Sequence, residues 1–302
     1  MIKSKNISLT VTAVFLLVWA LRMGIGLVTT HTRRVVSVPQ PQPRPHPQRQ
    51  PSPRIPPRIW QTSPKEPLSE AMQKTSLTWI QNEGYAYHLG TDDEVLGFLY
   101  NEGLGQIVDK IIKSNAPRVM IADIWRYAVV YSHGGYYADL DTVCQKPIPD
   151  WIPRQDHDCD MIIALENDIH FCQWTFASSA GHPALARVLE LIAERAETFP
   201  KDIPDFVHWH TGPAVFTAGI LDILGLDATS TAGDAYRKLQ WNPEIQKRAA
   251  QLGLCVFSDD LFKRSAVTHQ YSSQWTQDEA GYQSWTKAAT QFRQSSNSKT
   301  IT

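Results

Sequence analysis

Cysteine is scarce: four among 302 residues, at positions 144, 159, 172 and 255, with no two in a C-x-x-C pair. That removes the usual spacing signal for a structural zinc site. In an oxidising lumen the four allow up to two disulfides, in any of three pairings; in a reducing one they are buried thiols. Charge excess is missing too, since 29 Lys and Arg against 30 Asp and Glu leave a net charge of -1. Nothing in that balance favours a nucleic-acid partner. There is no internal repeat, and no apolar run after residue 28 is long enough to span a bilayer. The one N-x-S/T triplet is Asn6 to Ser8.

What is present begins with "ISLTVTAVFLLVWALRMGIGLV", residues 7–28, broken by a single charge, Arg22. About 20 apolar helical residues cross a bilayer core, and Arg22 sits near enough to the end to snorkel. Lys3 and Lys5 ahead of it favour a cytoplasmic N-terminus, although Arg33 and Arg34 follow it. A cleaved secretory signal is the rival reading, without a clear small-residue cleavage site. Next, "VPQPQPRPHPQRQPSPRIPPR" places proline at nearly every second position, which imposes an extended spacer. The expected plan is a cytoplasmic tail at 1–6, a signal anchor at 7–28, a Pro-rich stem at 29–54, a catalytic domain at 55–290 and a disordered tail at 291–302.

Within the globular part, "RIPPRIWQTS" and "YAYHLG" read as strands, and residues 69–83, 92–101 and 105–114 as helices. "PRVMIADIWRYAVVYSHGG" reads as a helix closed by Gly134 and Gly135. Then come strands over "YYADLD" and "CDMIIALEN", helices over 182–198 and 213–224, and a late strand in "CVFSDDLF". Alternating strands and helices predict a three-layer α/β domain.

The densest chemistry lies between residues 122 and 141. Asp123 and Arg126 are three apart and share a helix face. Gly134 and Gly135 permit a sharp turn. A regular strand would then aim Asp139 and Asp141 the same way. Two hard oxygen donors suit Mn²⁺ or Mg²⁺, and a metal held by two side chains keeps positions open for a diphosphate. Arg126 adds a fork of donors, and Asp123 can accept from sugar hydroxyls. A solvated turn and an ordinary i, i+3 helix pair are the bland readings of the same residues.

"ADIWRYAVVYSHGGYYADLD" resembles the donor-site core of glycosyltransferase family 32. "IPPRIWQTS", "FCQWTFASSAGHPAL", "HWHTGPAVFT" and "VTHQYSSQW" are similar, in order, to further segments of its fungal initiating α-1,6-mannosyltransferase group. The resemblance covers residues 55–276 and implies a GT-A type, Rossmann-like three-layer domain with a mixed central sheet, behind an N-terminal transmembrane helix. It implies a retaining, Mn²⁺- or Mg²⁺-dependent enzyme moving mannose from GDP-mannose to a high-mannose N-glycan core in α-1,6 linkage. Such a protein would be anchored in the Golgi membrane by residues 7–28, type II, with its catalytic domain lumenal. The implied roles are metal and diphosphate binding, and so catalysis, for Asp139 and Asp141; a further metal ligand in His269; donor-sugar contacts from Asp123 and Arg126; nucleobase stacking by Trp60; and closure over the nucleotide by Trp275.

Other readings stay beside it. A sphingolipid acceptor belongs to another branch of the same family. "DLDTV" fits the D-x-D-x-V of a phosphohydrolase, with "SDD" at 258–260 as second metal carboxylates. His208 and His210 of "HWH" would share a face if they lay on a strand. Glu166 and Asp168 follow a predicted strand, in a position to face the acceptor or the reacting carbon.

Overall fold

The computed structural model describes residues 54–63, 67–152, 158–197 and 206–270. The expected anchor at 7–28, the stem up to residue 53, Trp275 and the tail at 291–302 lie outside them. Among the described residues no helix is long and apolar enough to cross a membrane.

The first strand, β1 (Arg58–Thr62), pairs in parallel with β2 (Ala86–Gly90) on one side and β3 (Gly135–Ala138) on the other. Beyond β3 come β6 (Thr175–Ser178), β5 (Met161–Ala164) and β7 (Leu254–Phe257), giving the order β2-β1-β3-β6-β5-β7. β6 runs antiparallel to both β3 and β5, while β5 and β7 are parallel. The sheet is therefore mixed, as expected, and the C-terminal ends of β1, β3, β5 and β7 meet the N-terminal end of β6 along one edge. A separate ribbon pairs β4 (Thr142–Cys144) with β8 (Val267–His269).

Successive strand residues sort to opposite faces, as a pleat demands. Tyr137, Ile163 and Phe176 join the core under α4 (Val119–His133), whereas Tyr136, Ile162 and Ala177 join a second core with Trp79, Trp151 and Phe262. Because both faces are covered, β5 reads as an unbroken apolar run, MIIA, rather than an alternating one. The first core also takes α5 (Pro183–Ala196) and α7 (Pro213–Leu224), each opened by proline at its first turn. Ahead of α4 stand α1 (Glu70–Ile80), α2 (Asp92–Asn101) and α3 (Gly105–Lys113), close to the sequence-predicted bounds.

Three segments differ from expectation. "HWH" lies in a short helix, α6 (Phe206–His210), not on a strand, so His208 and His210 point apart. The strand over "YYADLD" stops at Ala138, because Thr142 N–H turns back to the Asp139 carbonyl at 3.1 Å. Two helices, α8 (Ala232–Trp241) and α9 (Pro243–Gln251), fill a stretch without a predicted element. α8 opens with a Thr231–Asp234 capping box, and the Asn242 side chain caps α9.

Of the three cysteine pairings open to the sequence, the structure forms Cys159–Cys255, joining the start of β5 to β7 across 96 residues. Cys144 and Cys172 are free thiols.

Candidate metal and sugar-binding site

The site starts with two glycines. Gly134 and Gly135 have φ of 66° and 120°, a region that favours glycine. A Cβ on Gly135 would stand 2.6 Å from the Arg58 carbonyl oxygen and 2.8 Å from Trp60 Nε1. Only a bare backbone lets the chain leave α4 and enter β3 beside β1. That turn sets Asp139 at the C-terminal end of β3, over the helix face that carries Asp123 and Arg126.

The turn after β3 is pinned from several directions. Asp139 donates its N–H to the Trp174 carbonyl at 2.8 Å. Its own carbonyl accepts from Gln61 Nε2 at 3.1 Å and from the Thr142 hydroxyl at 2.5 Å. Its carboxylate accepts from the Tyr137 hydroxyl at 2.6 Å and from Arg126 Nη2 at 3.0 Å. Asp141 is held by the ribbon instead. Register pairs Thr142 with His269, and the Asp141 carbonyl accepts from Gln270 N–H at 2.9 Å. His269 Nε2 then stands 3.4 Å from Asp141 Oδ1. Asp139, Asp141 and His269 each offer a ligand atom, all within 4.8 Å of one another.

Two carboxylates and an imidazole are a donor set that can hold a divalent cation. Opposed ligands of a hard octahedral cation stand roughly 4.2 Å apart, so these three atoms need little movement to share one. Among the described residues this is the one such three-ligand group.

Beneath it lies a buried ionic layer. Asp123 and Arg126 are only 1% and 3% exposed. Arg126 Nη1 is 2.6 Å from Asp123 Oδ1, but not aligned as a hydrogen bond. Thr211 donates to Asp123 Oδ2 at 2.8 Å, and the Tyr127 hydroxyl lies between the Gln173 side chain and the Thr211 carbonyl. Burial pushes the Asp123 carboxyl up to about 6 against the pull of Arg126 and Thr211. Burial likewise raises Asp139, against Arg126 and the Tyr137 hydroxyl. For Arg126, burial is outweighed by Asp139, Tyr137 and Asp123, which together hold the guanidinium firmly charged. Arg126 Nε has no hydrogen bond, while Arg126 Nη1 and Asp123 Oδ1 meet as an ion pair.

The structure thus brings Asp123, Arg126, Asp139, Asp141 and His269 together. Trp60, expected to stack on a nucleobase, is partly exposed and packs beside His88 and His133. Its indole N–H donates to the Gly134 carbonyl at 2.9 Å, towards the start of β3 and away from Asp139. Its ring lies nearly parallel to His88 and His133, with centroids 4.4 and 5.7 Å away. Trp60 buttresses the glycine turn. The "SDD" carboxylates pair locally, Asp259 with Lys263 and Asp260 with Arg264, and take no part in the metal group.

Sequence reasoning passed over Tyr137, Gln173 and Thr211. Tyr137 was within reach, since it stands two residues before Asp139 and so shares its face. Gln173 and Thr211 come from distant elements, and no local spacing marks them.

Residues 69–158, which hold Asp123, Arg126, Asp139 and Asp141, match the family described as a glycosyltransferase sugar-binding region containing a DXD motif. The chain is similar to an initiation-specific alpha-1,6-mannosyltransferase of Schizosaccharomyces pombe, 32% identical over 195 residues, covering 56% of this chain and 49% of that protein. It is also similar to the protein of the same description from Candida albicans, 25% identical over 205 residues, covering 56% and 53%. The chain spans about half the length of these curated relatives. A solved structure, the PaToxG glycosyltransferase, superposes with a TM-score of 0.46 at 18% identity, over 76% of this chain and 86% of that one.

Proposed function

We propose that this chain is a retaining, divalent-metal-dependent glycosyltransferase of GT-A type. It moves mannose from GDP-mannose to an N-linked mannan core in α-1,6 linkage. The observation that carries the reading is the Asp139–Asp141–His269 group set directly over the buried Asp123–Arg126 pair. The relatives' descriptions supply the sugar and the linkage. A cation bound there would offset the charge that gathers on the leaving diphosphate.

The chain's own residues supply the rest. Tyr137 and Arg126 hold one Asp139 oxygen at 2.6 and 3.0 Å, so the carboxylate is oriented before any ligand arrives. On this reading Asp123 and Arg126, paired at 2.6 Å, exchange part of that contact for hydrogen bonds with the transferred sugar's hydroxyls. On this reading the acceptor hydroxyl attacks the anomeric carbon from the face the diphosphate leaves. The C–O bond to phosphate breaks with its electron pair, and the hydroxyl proton passes to the departing phosphate oxygen.

Golgi residence as a type II protein anchored by residues 7–28 belongs to the same proposal. The Cys159–Cys255 bond supports it, since such bonds persist in oxidising compartments. The test is mannose transfer from GDP-mannose to a high-mannose acceptor with Mn²⁺, against a panel of nucleotide sugars. Full transfer in excess chelator, or by Asp139→Ala or Asp141→Ala, would overturn the metal assignment. Transfer confined to a sphingolipid headgroup would move the acceptor, and phosphate release from a phosphomonoester without acceptor would replace the reading altogether.

A further inference from the structure

The "HWH" motif has no part in the donor site, but one of its histidines has a partner that the motif itself does not contain. His210 is buried, with Nδ1 2.9 Å from the Phe206 carbonyl. His208 meets His170 instead, 38 residues earlier, with the two Nε2 atoms 3.3 Å apart. The rings tilt by 56°, with centroids 4.5 Å from each other. Both residues are partly exposed, neither sealed in the core.

Each imidazole is carried by a fixed piece of backbone. The chain folds back after β5, where Leu165 bridges to Phe171. Within that turn the His170 carbonyl accepts from the N–H groups of Glu166 at 2.9 Å and Asn167 at 3.3 Å. The Asn167 side chain accepts from the N–H groups of Ile169 and His170, each at 2.8 Å. Phe171 N–H, next along, donates to the Thr217 hydroxyl on α7 at 2.9 Å. His208 lies in α6, which closes with the Thr211 and Gly212 N–H groups on the Val207 carbonyl at 3.0 and 2.9 Å. The pair therefore joins two elements that meet only in the folded chain.

A separation of 3.3 Å is long for a hydrogen bond, since the usual N–H range ends at about 3.2 Å. It matches another geometry. Two nitrogens held by one tetrahedral Zn²⁺ at about 2.0–2.1 Å stand about 3.3–3.4 Å from each other. A turn of the rings about χ2 aims both lone pairs at one centre. Imidazole suits Zn²⁺ and Cu²⁺, whereas carboxylates suit Mg²⁺ and Mn²⁺. This pair and the Asp139 group therefore differ in the cation they favour. Ligation needs a neutral imidazole, and burial and the His208 neighbour both hold His170 towards that form. Among the described residues only the Asp139 group gathers three ligands, so water would complete the shell at the histidines.

We propose that His170 and His208 form a second metal site, a two-imidazole clip for a divalent cation of the Zn²⁺ and Cu²⁺ class, separate from the Asp139 group. The cation ties the turn after β5 to α6. Thr211 follows α6 directly and donates to Asp123 at 2.8 Å, so the clip stiffens the segment that holds Asp123. The test adds Zn²⁺ to the full chain carrying Asp141→Asn, in which the Asp139 group is already weakened. Calorimetric affinity and melting temperature are read for that protein and for the same protein with His170→Gln, His208→Gln or both. With both histidines present, Zn²⁺ should bind and raise the melting temperature. Either single substitution should weaken binding at least about tenfold, and the double variant by no more than about twofold further, because a chelate is lost with its first ligand. Cu²⁺ in the Asp141→Asn protein, which needs no histidine variant, should give a paramagnetic resonance spectrum split by two imidazole nitrogens.

Zn²⁺ affinity unchanged in either single variant, or retained in the double one, would place the cation elsewhere and overturn the proposal. Absence of Zn²⁺ binding with both histidines present would overturn it as well, as would a Cu²⁺ spectrum without two nitrogens. None of these readouts involves mannose, so the site stands or falls apart from the glycosyltransferase reading.

Discussion

Replacing Arg126 with methionine tests the buried ionic layer. The guanidinium is 3% exposed and sits 2.6 Å from Asp123 Oδ1 and 3.0 Å from Asp139 Oδ1. Methionine fills much of the volume but strands two carboxylates. Removing one partner of a buried pair costs about 3–5 kcal/mol. At roughly 2–4 °C per kcal/mol for a domain of this size, the melting temperature should fall by about 6–20 °C near pH 8 in chelator. The loss should shrink in acid. Asp123 has a folded value of about 6, above its ordinary 3.8. Its contribution to stability is therefore complete below about 4 and is lost as pH rises through 6. Without Arg126 the folded value climbs further, and the window of lost stability widens upward. Melts at pH 5, 6.5 and 8 should show wild type and variant converging at pH 5. Asp123→Asn in the Arg126→Met background should recover part of the loss at pH 8. Equal melting temperatures at pH 8, or a loss that does not vary with pH, would refute the account.

Further expectations follow from the same geometry. Asp141→Asn should weaken Mn²⁺ binding, read by electron paramagnetic resonance, at least tenfold while shifting the melting temperature little, because its side chain lies outside the Arg126 ion pairs. Tyr137→Phe removes a 2.6 Å charge-assisted hydrogen bond to Asp139 and should cost about 1.5–3 kcal/mol, measured by urea denaturation. Gly135→Ala faces both the Arg58 carbonyl and a φ of 120°; a soluble yield and melting point equal to wild type would show that the glycine turn is not required. Cys159→Ser releases a bond spanning 96 residues and should lower stability by up to about 5 kcal/mol on the chain-entropy model, an effect reproduced by reductant in wild type only.

The sequence carried the site's components better than its assembly. The Asp123–Arg126 spacing, the two glycines and the D-x-D all announce themselves within nineteen residues, because a helix face and a tight turn are local devices. The form of the D-x-D was less legible. A strand was expected to aim both carboxylates together, but Asp139 and Asp141 occupy a turn held by Trp174, Gln61 and Thr142. Those partners lie on other strands or across the turn. The neighbours of Trp60 were not legible either: His88 reaches it through the β1–β2 register and His133 from the end of α4. The Cys159–Cys255 pairing needed the β5–β7 adjacency. The helices α8 and α9 bury mostly small residues, Ala232, Gly233, Ala235 and Ala249, beside Ile245, so no row of large apolar side chains marks them.

The β4–β8 ribbon has a bearing on how the molecule is made. It is separate from the main sheet, and it alone brings His269 to Asp141. During synthesis, Asp139 and Asp141 emerge long before their imidazole partner. All six main-sheet strands can be laid down first. Closing so distant a contact is a late event, because its loop entropy is repaid only once the intervening elements are packed. The third member of the candidate metal group thus arrives only on a chain that has already built its core.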